Sequence, residues 1–135
     1  MVLVDTNIVF ALLVRSTPLY EAACELHERD SDWRIESYGL VELTNVLSRY
    51  VRARLLKSDD ALAVLSVAES RFGPRVVSVA NHDALATALD QKVSAYDARF
   101  LCAAKLLGVP LVTEDAKLRR AAPRLTRSLA EELSA

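Results

Sequence analysis

The alternation of short apolar runs with amphipathic helical patterns constrains the fold of this chain more than any other feature. Val2–Val4 is a β-type run, after which apolar residues recur at helical spacing as far as Leu13. Similar strand candidates lie at 33–35, 75–79 and 111–113. Strands that alternate with helices usually pair in parallel through right-handed crossovers. The sequence therefore predicts a three-layer α/β/α sandwich around a mainly parallel sheet.

Helix-start and helix-stop residues give approximate bounds for the helices. Ser94 is placed to cap a helix that Gly108 ends, and Ser128 with Glu131 has the spacing of a capping box. The clearest amphipathic pattern begins near Leu40. The predicted helices lie at about 8–13, 18–29, 40–51, 58–70, 83–91, 95–107 and 116–121, with one more from 128 onward.

The length of 135 residues is that of one ordinary domain, so we expect a single domain over 1–135. Three glycines and four prolines leave little material for linkers. Cys24 and Cys102 lie far apart in apolar helical patterns, so we expect buried free thiols in a reducing cytoplasm. The apolar N-terminal stretch is interrupted by Asp5 and Asn7 and is too short to span a bilayer, so we expect no membrane association.

The overall charge gives no sign of nucleic-acid binding. Seventeen Lys and Arg residues are balanced by eighteen Asp and Glu residues, which leaves a net charge of -1. Two stretches are nevertheless rich in basic residues, and each suits phosphate contacts, a solvated helix face or a surface for an acidic partner protein. The first contains Arg49, Arg52, Arg54 and Lys57, and the second contains Lys117, Arg119, Arg120, Arg124 and Arg127.

Four carboxylates border the apolar parts of four separate predicted elements. Asp5 follows the first strand and Asp115 follows the last clear one, so both are expected at the rim where the carboxyl ends of parallel strands meet. Glu42 lies at the edge of the apolar face of its helix, and Asp97 lies in the first turn of another helix. The joint pattern predicts an acidic cleft at that rim.

Each acid also has a purely structural explanation. Asp5 and Asp115 are good N-caps, Asp97 is favoured by the helix dipole, and Glu42 fits a solvated helix position. Chance capping does not explain why all four acids border apolar surface. Carboxylates within a few ångströms of one another repel unless cations neutralise them, and hard oxygen ligands select Mg²⁺ or Mn²⁺.

Four short motifs carry a family resemblance. They are DTN at 5–7, VELTN at 41–45, YDA at 96–98 and LVTED at 111–115. In order and spacing these motifs resemble those of PIN-domain proteins. The size and pattern are most similar to VapC-type toxins of bacterial and archaeal toxin-antitoxin pairs. The resemblance covers nearly the whole chain, from Val2 to about Arg127.

The resemblance implies an α/β/α sandwich and a metal-dependent endoribonuclease that hydrolyses RNA with metal-activated water. The implied metal is Mg²⁺, with Mn²⁺ as a substitute. The implied partners are a second copy of the chain and a cognate VapB-type antitoxin. The family's catalytic and metal-binding acids correspond to Asp5, Glu42, Asp97 and Asp115, and two polar residues correspond to supporting positions, Asn7 and Thr113.

Several alternatives stay open at the level of the sequence. Glu114 adjoins Asp115, and the sequence does not decide which of the two faces the metal. The main rival function is a non-catalytic PIN-fold binding or scaffold module, which would be expected to lack one or more of the acids. The number of metal ions and the RNA target are also undetermined. His27 and His82 lie away from the motifs, and we expect both at the surface rather than acting as a general base.

Overall fold

Five short strands, all paired in parallel, form the sheet in the computed structural model, which describes residues 1–135. The strands are β1 (Val2–Val4), β2 (Trp33–Glu36), β3 (Val76–Val77), β4 (Leu111–Val112) and β5 (Thr126–Arg127). Their order in the sheet is β3-β2-β1-β4-β5. β1 is therefore central, and Leu3 is in register with Arg34 on one side and Leu111 on the other.

Eight α-helices connect and cover the strands. They are α1 (Thr6–Leu13), α2 (Tyr20–Arg29), α3 (Tyr38–Arg52), α4 (Ser58–Phe72), α5 (Asn81–Gln91), α6 (Ala95–Leu107), α7 (Ala116–Ala121) and α8 (Leu129–Ser134). A 3-10 turn, Gly73–Arg75, joins α4 to β3. None of these helices combines the length and hydropathy that a membrane-spanning segment requires.

Apolar clusters on both faces of the sheet confirm the predicted three-layer α/β/α sandwich. Successive side chains of a strand point to opposite faces, and those of β1 divide accordingly. Val2 and Val4 join a cluster that includes buried residues of α1 to α4 and α8. Leu3 joins a second cluster built mainly from α5, α6 and α7. The central strand thus supplies both cores at once.

Most predicted elements are confirmed, and the differences lie in the two outer strands of the sheet. The strand predicted at 75–79 is shorter, because residues 73–75 form the 3-10 turn. The edge strand Thr126–Arg127 has no counterpart in the sequence prediction. The Ser128 capping box is present, as predicted. Both cysteines are free, as expected, but they are only half-buried.

A buried ion pair fixes α6 against β2. Glu36 ends β2 and is fully buried, and its Oε1 atom lies 3.0 Å from Nη2 of Arg99 on α6. Its carboxylate also accepts hydrogen bonds from the Ser37 hydroxyl at 2.8 Å and from the Tyr38 backbone N–H at 2.7 Å. This contact therefore sets the position of the start of α3 and of the first turns of α6 relative to the sheet.

We expect Glu36→Ala to lower the free energy of unfolding by about 3 kcal/mol, because it leaves the Arg99 guanidinium and the Tyr38 N–H without their buried partner. Urea unfolding at neutral pH measures the change. The matched control is Glu25→Ala, which removes the exposed Glu25–Arg29 pair on α2 and should change stability by less than about 1 kcal/mol. Equal shifts for the two variants would contradict the anchoring role of Glu36.

Candidate functional site

Asp5 lies at the centre of the sheet rim, immediately after β1. Its backbone N–H donates to the Val112 carbonyl at 2.9 Å, which ties the end of β1 to β4. Its Oδ1 accepts from the Thr6 N–H at 2.7 Å and thereby caps α1. The side chain is buried, with only 6% of the residue surface exposed. Asp5 is thus held rigidly by both the sheet and the following helix.

Thr113 and Asn7 support Asp5 from the neighbouring strand and helix. The Thr113 hydroxyl donates to Oδ2 of Asp5 at 2.6 Å, and Nδ2 of Asn7 lies 3.2 Å from the Thr113 hydroxyl and 3.4 Å from Asp5 Oδ2. The Thr113 hydroxyl in turn accepts from the Asp115 N–H at 3.1 Å. One hydrogen-bonded network therefore joins the residues that follow β1 to those that follow β4.

The other three acids approach Asp5 from different elements, and their charges act on one another. Burial raises the pKa of Asp5 to about 7, with the charges of Glu42 and Asp97 adding to the effect against the hydrogen bonds from Thr113 and Thr6. Burial also raises the pKa of Glu42, to which the charges of Asp97 and Asp115 contribute. All four predicted acids are therefore brought to one place.

Asp97 completes the cluster from the first turn of α6. Its pKa is raised by burial and then by the charge of Asp115, against the opposing effects of Ser94 and Lys117. Ser94 caps α6 by accepting from the Asp97 backbone N–H at 3.1 Å. Both Glu42 and Asp97 are half-buried, so solvent still reaches them.

The predicted N-cap roles of Asp5 and Asp115 are confirmed and coexist with the cluster, whereas Glu42 is half-buried rather than solvated. Asp5 caps α1, and Asp115 caps α7 by accepting from the Leu118 N–H at 3.0 Å. An N-cap does not require burial, however, and Asp5 is buried among other carboxylates. Capping therefore accounts for the local backbone and leaves the concentration of negative charge unexplained.

Glu114 and its neighbour Asp115 make different contacts. Its Oε1 accepts from the Leu129 N–H at 2.7 Å, at the start of α8, and its Oε2 lies 3.9 Å from Nη1 of Arg119. Asp115, by contrast, acts electrostatically on Glu42 and Asp97. The Glu114 carboxylate is therefore engaged with α8, whereas the charge of Asp115 acts on the other acids.

The two histidines differ from one another. His82 is exposed, as expected. His27 is half-buried rather than on the open surface, and its ring packs edge-on against Trp33 with 5.2 Å between centroids. Burial lowers the pKa of His27, and the charges of Arg71 and Arg75 add to this effect. Neither histidine is among the groups that act on the four acids.

A cavity of about 400 Å³ adjoins the acids between α1 and α3. Sequence reasoning did not identify it, although Arg49 in its lining lies seven residues after Glu42, a spacing that places both on one face of a helix. The lining residues are Thr6, Asn7, Phe10, Glu42, Asn45, Val46, Arg49 and Tyr50.

The donor set suits a hard divalent cation in charge and ligand type. Four carboxylates in one place, three of them with raised pKa values, form an excess of negative charge that a cation relieves. Carboxylate oxygens are the ligands that Mg²⁺ and Mn²⁺ prefer. No group of three acidic, histidine or cysteine side chains is already arranged to hold one ion. The fit is therefore one of charge and ligand type.

Comparisons with known proteins agree with this fold. The PIN domain family model matches residues 2–123, whereas a search of curated protein sequences gives no match. PAE2754 from Pyrobaculum aerophilum is 24% identical, with a TM-score of 0.70 over 98% of this chain and 91% of that one. FitAcB from Neisseria gonorrhoeae is 18% identical, with a TM-score of 0.68 over 96% and 99%. FitAB bound to an IR36 DNA fragment is 17% identical, with a TM-score of 0.67 over 96% and 95%.

The raised pKa of Asp5 predicts a specific pH dependence of stability. A carboxyl group with a higher pKa in the folded than in the unfolded state stabilises the fold fully below about pH 4, and this contribution is lost as the pH rises through about 7. In metal-free buffer, wild type should therefore lose on the order of 1–3 kcal/mol relative to Asp5→Asn between about pH 4 and pH 8. Urea unfolding with EDTA at each pH measures the difference.

The control for this experiment is Asp90→Asn, which changes an exposed acid on α5. Its stability difference from wild type should stay constant over the same pH range. If the Asp5→Asn difference were equally constant, Asp5 would behave as a simple N-cap, because Asn and Asp cap helices about equally well.

Proposed function

The chain belongs to the PIN-domain family, and we propose that it is a divalent-metal-dependent endoribonuclease acting as the toxin of a VapBC-type toxin-antitoxin pair. PIN domains are generally nucleases. The observation that carries the proposal is the buried Asp5 carboxylate, whose pKa is raised to about 7 beside the charges of Glu42 and Asp97. A buried excess of negative charge destabilises the fold. A site that binds a cation for catalysis explains why these carboxylates are retained there.

Asp5, Glu42, Asp97 and Asp115 are the residues that would hold Mg²⁺ or Mn²⁺. When bound, such an ion lowers the pKa of a coordinated water and neutralises charge on a phosphodiester. Asp5 has the least freedom, because Thr113 and Thr6 both donate to its carboxylate. Its role in the proposal is that of a fixed, preorganised ligand.

Glu42 and Asp97 have a different part in the proposal, because they are half-buried and reachable from solvent. In the proposal, a carboxylate oxygen of either residue that does not hold the ion would accept the proton of the attacking water as a general base. Either residue thus supplies a proton acceptor beside the scissile phosphate. No histidine is needed for this step.

A cognate VapB-type antitoxin is one partner in the proposal. One of the similar structures is of FitAB bound to a DNA fragment, which supports a nucleic-acid-binding antitoxin complex for this chain as well. Such an antitoxin inhibits if it presents Arg or Lys to the carboxylates in place of the metal. The rival function, a non-catalytic binding or scaffold module, is disfavoured because all four acids are present at one rim.

Activity on RNA provides the direct test. Purified protein should cleave at least one member of a panel of structured and single-stranded RNAs with Mg²⁺ or Mn²⁺, and EDTA should stop the reaction. Asp115→Asn should reduce the rate by at least about 100-fold, the upper end of the effect of losing a partner of a metal ligand. Its matched control is Glu114→Gln, which changes the adjacent acid that contacts α8 and should retain activity within a few-fold.

Thermal unfolding supplies a second readout that does not depend on the choice of RNA. Mg²⁺ bound only by the folded state raises the melting temperature by mass action, and this rise should be much smaller in Asp115→Asn than in Glu114→Gln. Cleavage that persists in excess EDTA, or equal loss of activity in both variants, would contradict the metal mechanism.

A homodimer is the second expected assembly. Large apolar side chains are exposed on α5 and α6, on the face of the sheet opposite α4, namely Leu85, Leu89, Tyr96 and Leu106. We propose that the dimer covers this surface.

Light scattering at tens of micromolar should give twice the 14.9 kDa of one chain. Leu89→Lys should dissociate the dimer, whereas Leu62→Lys, at an equally exposed leucine on α4, should not. A monomeric wild type would contradict the proposal.

A further inference from the structure

The cavity between α1 and α3 is continuous with the acidic site. Thr6, Asn7 and Glu42 belong to both, since all three line the cavity and also contact or act on the carboxylate network. Away from the acids, Phe10 and Tyr50 form an apolar part of the lining, and their rings pack 4.6 Å apart. The cavity therefore has an acidic end and an apolar part with aromatic rings, which suits a nucleotide joined to a phosphate at the acids.

Arg49 lines this cavity, and no carboxylate pairs with its guanidinium. It lies seven residues after Glu42 on α3, so it is on the same helix face and about 10 Å further along the axis. It is exposed and forms no salt bridge. Its charge nevertheless lowers the pKa of Glu42, which places it within electrostatic reach of the site. The neighbouring Arg52 differs, since it donates to the Ser48 hydroxyl and lines another groove.

Lys117 is a second cation of the same kind on a different element. It lies in the first turn of α7, is exposed and forms no salt bridge. It lies two residues after Asp115, the N-cap of α7, so its backbone is at the same rim as the acids, and its charge lowers the pKa of Asp97. Arg119 on the same helix is already engaged, because it donates to the Thr113 carbonyl at 2.9 Å. Two unpaired cations thus stand beside two different members of the acid cluster.

An RNA strand needs such cations near this site. A metal-loaded acid cluster neutralises the scissile phosphate, but the adjoining phosphates of the strand would be repelled by the carboxylates. Phosphate contacts from Arg and Lys position a nucleic acid, while they carry no sequence information themselves. Arg is suited to phosphate because its planar guanidinium donates two parallel hydrogen bonds.

We propose that Arg49 and Lys117 bind the backbone phosphates that flank the scissile phosphate of the RNA, and that the cavity between α1 and α3 holds the nucleotide next to Arg49. This inference rests on the proposed ribonuclease function and adds how the strand is held. Arg49 and Lys117 are positioning residues, whereas the four acids contact the reacting phosphate.

The experiment uses the full chain with Mg²⁺ and a single-stranded RNA that wild type cleaves. Arg49→Gln and Lys117→Gln should each raise KM roughly tenfold, because each removes a hydrogen-bonded charge contact, with little change in kcat. In the Asp115→Asn background, binding of the same RNA should depend less on salt, and the slope of log K against log salt should fall by about 0.7 for each cation removed.

Matched controls are available on the same two helices. Arg52→Gln on α3 and Arg120→Gln on α7 remove exposed cations that are not among the charges shifting the pKa values of Glu42 and Asp97, and both should leave KM and the salt slope nearly unchanged. Circular dichroism and thermal melts confirm that each variant is folded.

Two outcomes would overturn the inference while the proposed function stands. In the first, wild type cleaves RNA but the Arg49 and Lys117 variants change KM and salt slope no more than their controls. In the second, Arg49→Gln alters kcat and shifts its pH profile upward without changing KM or salt slope, which would show that Arg49 only neutralises Glu42. A wild type that neither binds nor cleaves any RNA would reject the proposed function itself.

Discussion

The parallel pairing of β1 with β4 is the contact on which the rest of this site depends. β1 is the central strand, and its end is joined to β4 by the Asp5 N–H bond to Val112. The pairing places residues 5 and 113–115 side by side at the rim, although they are more than one hundred positions apart in the chain. The Thr113 hydroxyl then links the two segments by donating a hydrogen bond to the Asp5 carboxylate. α3 and α6 add their acids because both begin at this same rim, where Glu36 and Arg99 hold them.

The site combines good local geometry with unfavourable electrostatics. Asp5 and Asp115 are used twice, as N-caps that stabilise α1 and α7 and as members of a carboxylate cluster. The capping hydrogen bond from the Thr6 N–H and the hydrogen bond from the Thr113 hydroxyl favour the charged form of Asp5. Burial nevertheless dominates and raises the pKa of Asp5. Stability alone would be served better by a neutral cap such as Asn or Ser. The buried Asp5 carboxylate departs from what stability alone would favour, although the surrounding helices and strands are regular. Such a local departure is expected of a functional site.

The sequence predicted the features that depend on local patterns and missed those that depend on distant contacts. The Val2–Val4 strand, the Ser128 capping box and the four acids follow from periodicity, cap residues and strand ends, all of which are read within a few positions. The strand Thr126–Arg127 is only two residues long and carries no alternation that could reveal it. The Glu36–Arg99 pair joins positions 63 apart. The roles of Glu114 and Asp115 were not separable either, because only the packing of α8 draws Glu114 away.

Placement of charge matters more here than its total. A net charge of -1 would suggest indifference to nucleic acid, but the acids are concentrated at one rim and two unpaired cations, Arg49 and Lys117, stand next to them. A ligand that fits this rim must therefore present both signs of charge, as a metal-bound RNA strand does. The antitoxin segment proposed above would have to meet the same requirement. A basic side chain alone would satisfy the carboxylates and would leave the charges of Arg49 and Lys117 unmatched, so acidic residues near the inserted cation would improve the match of such a segment to the rim.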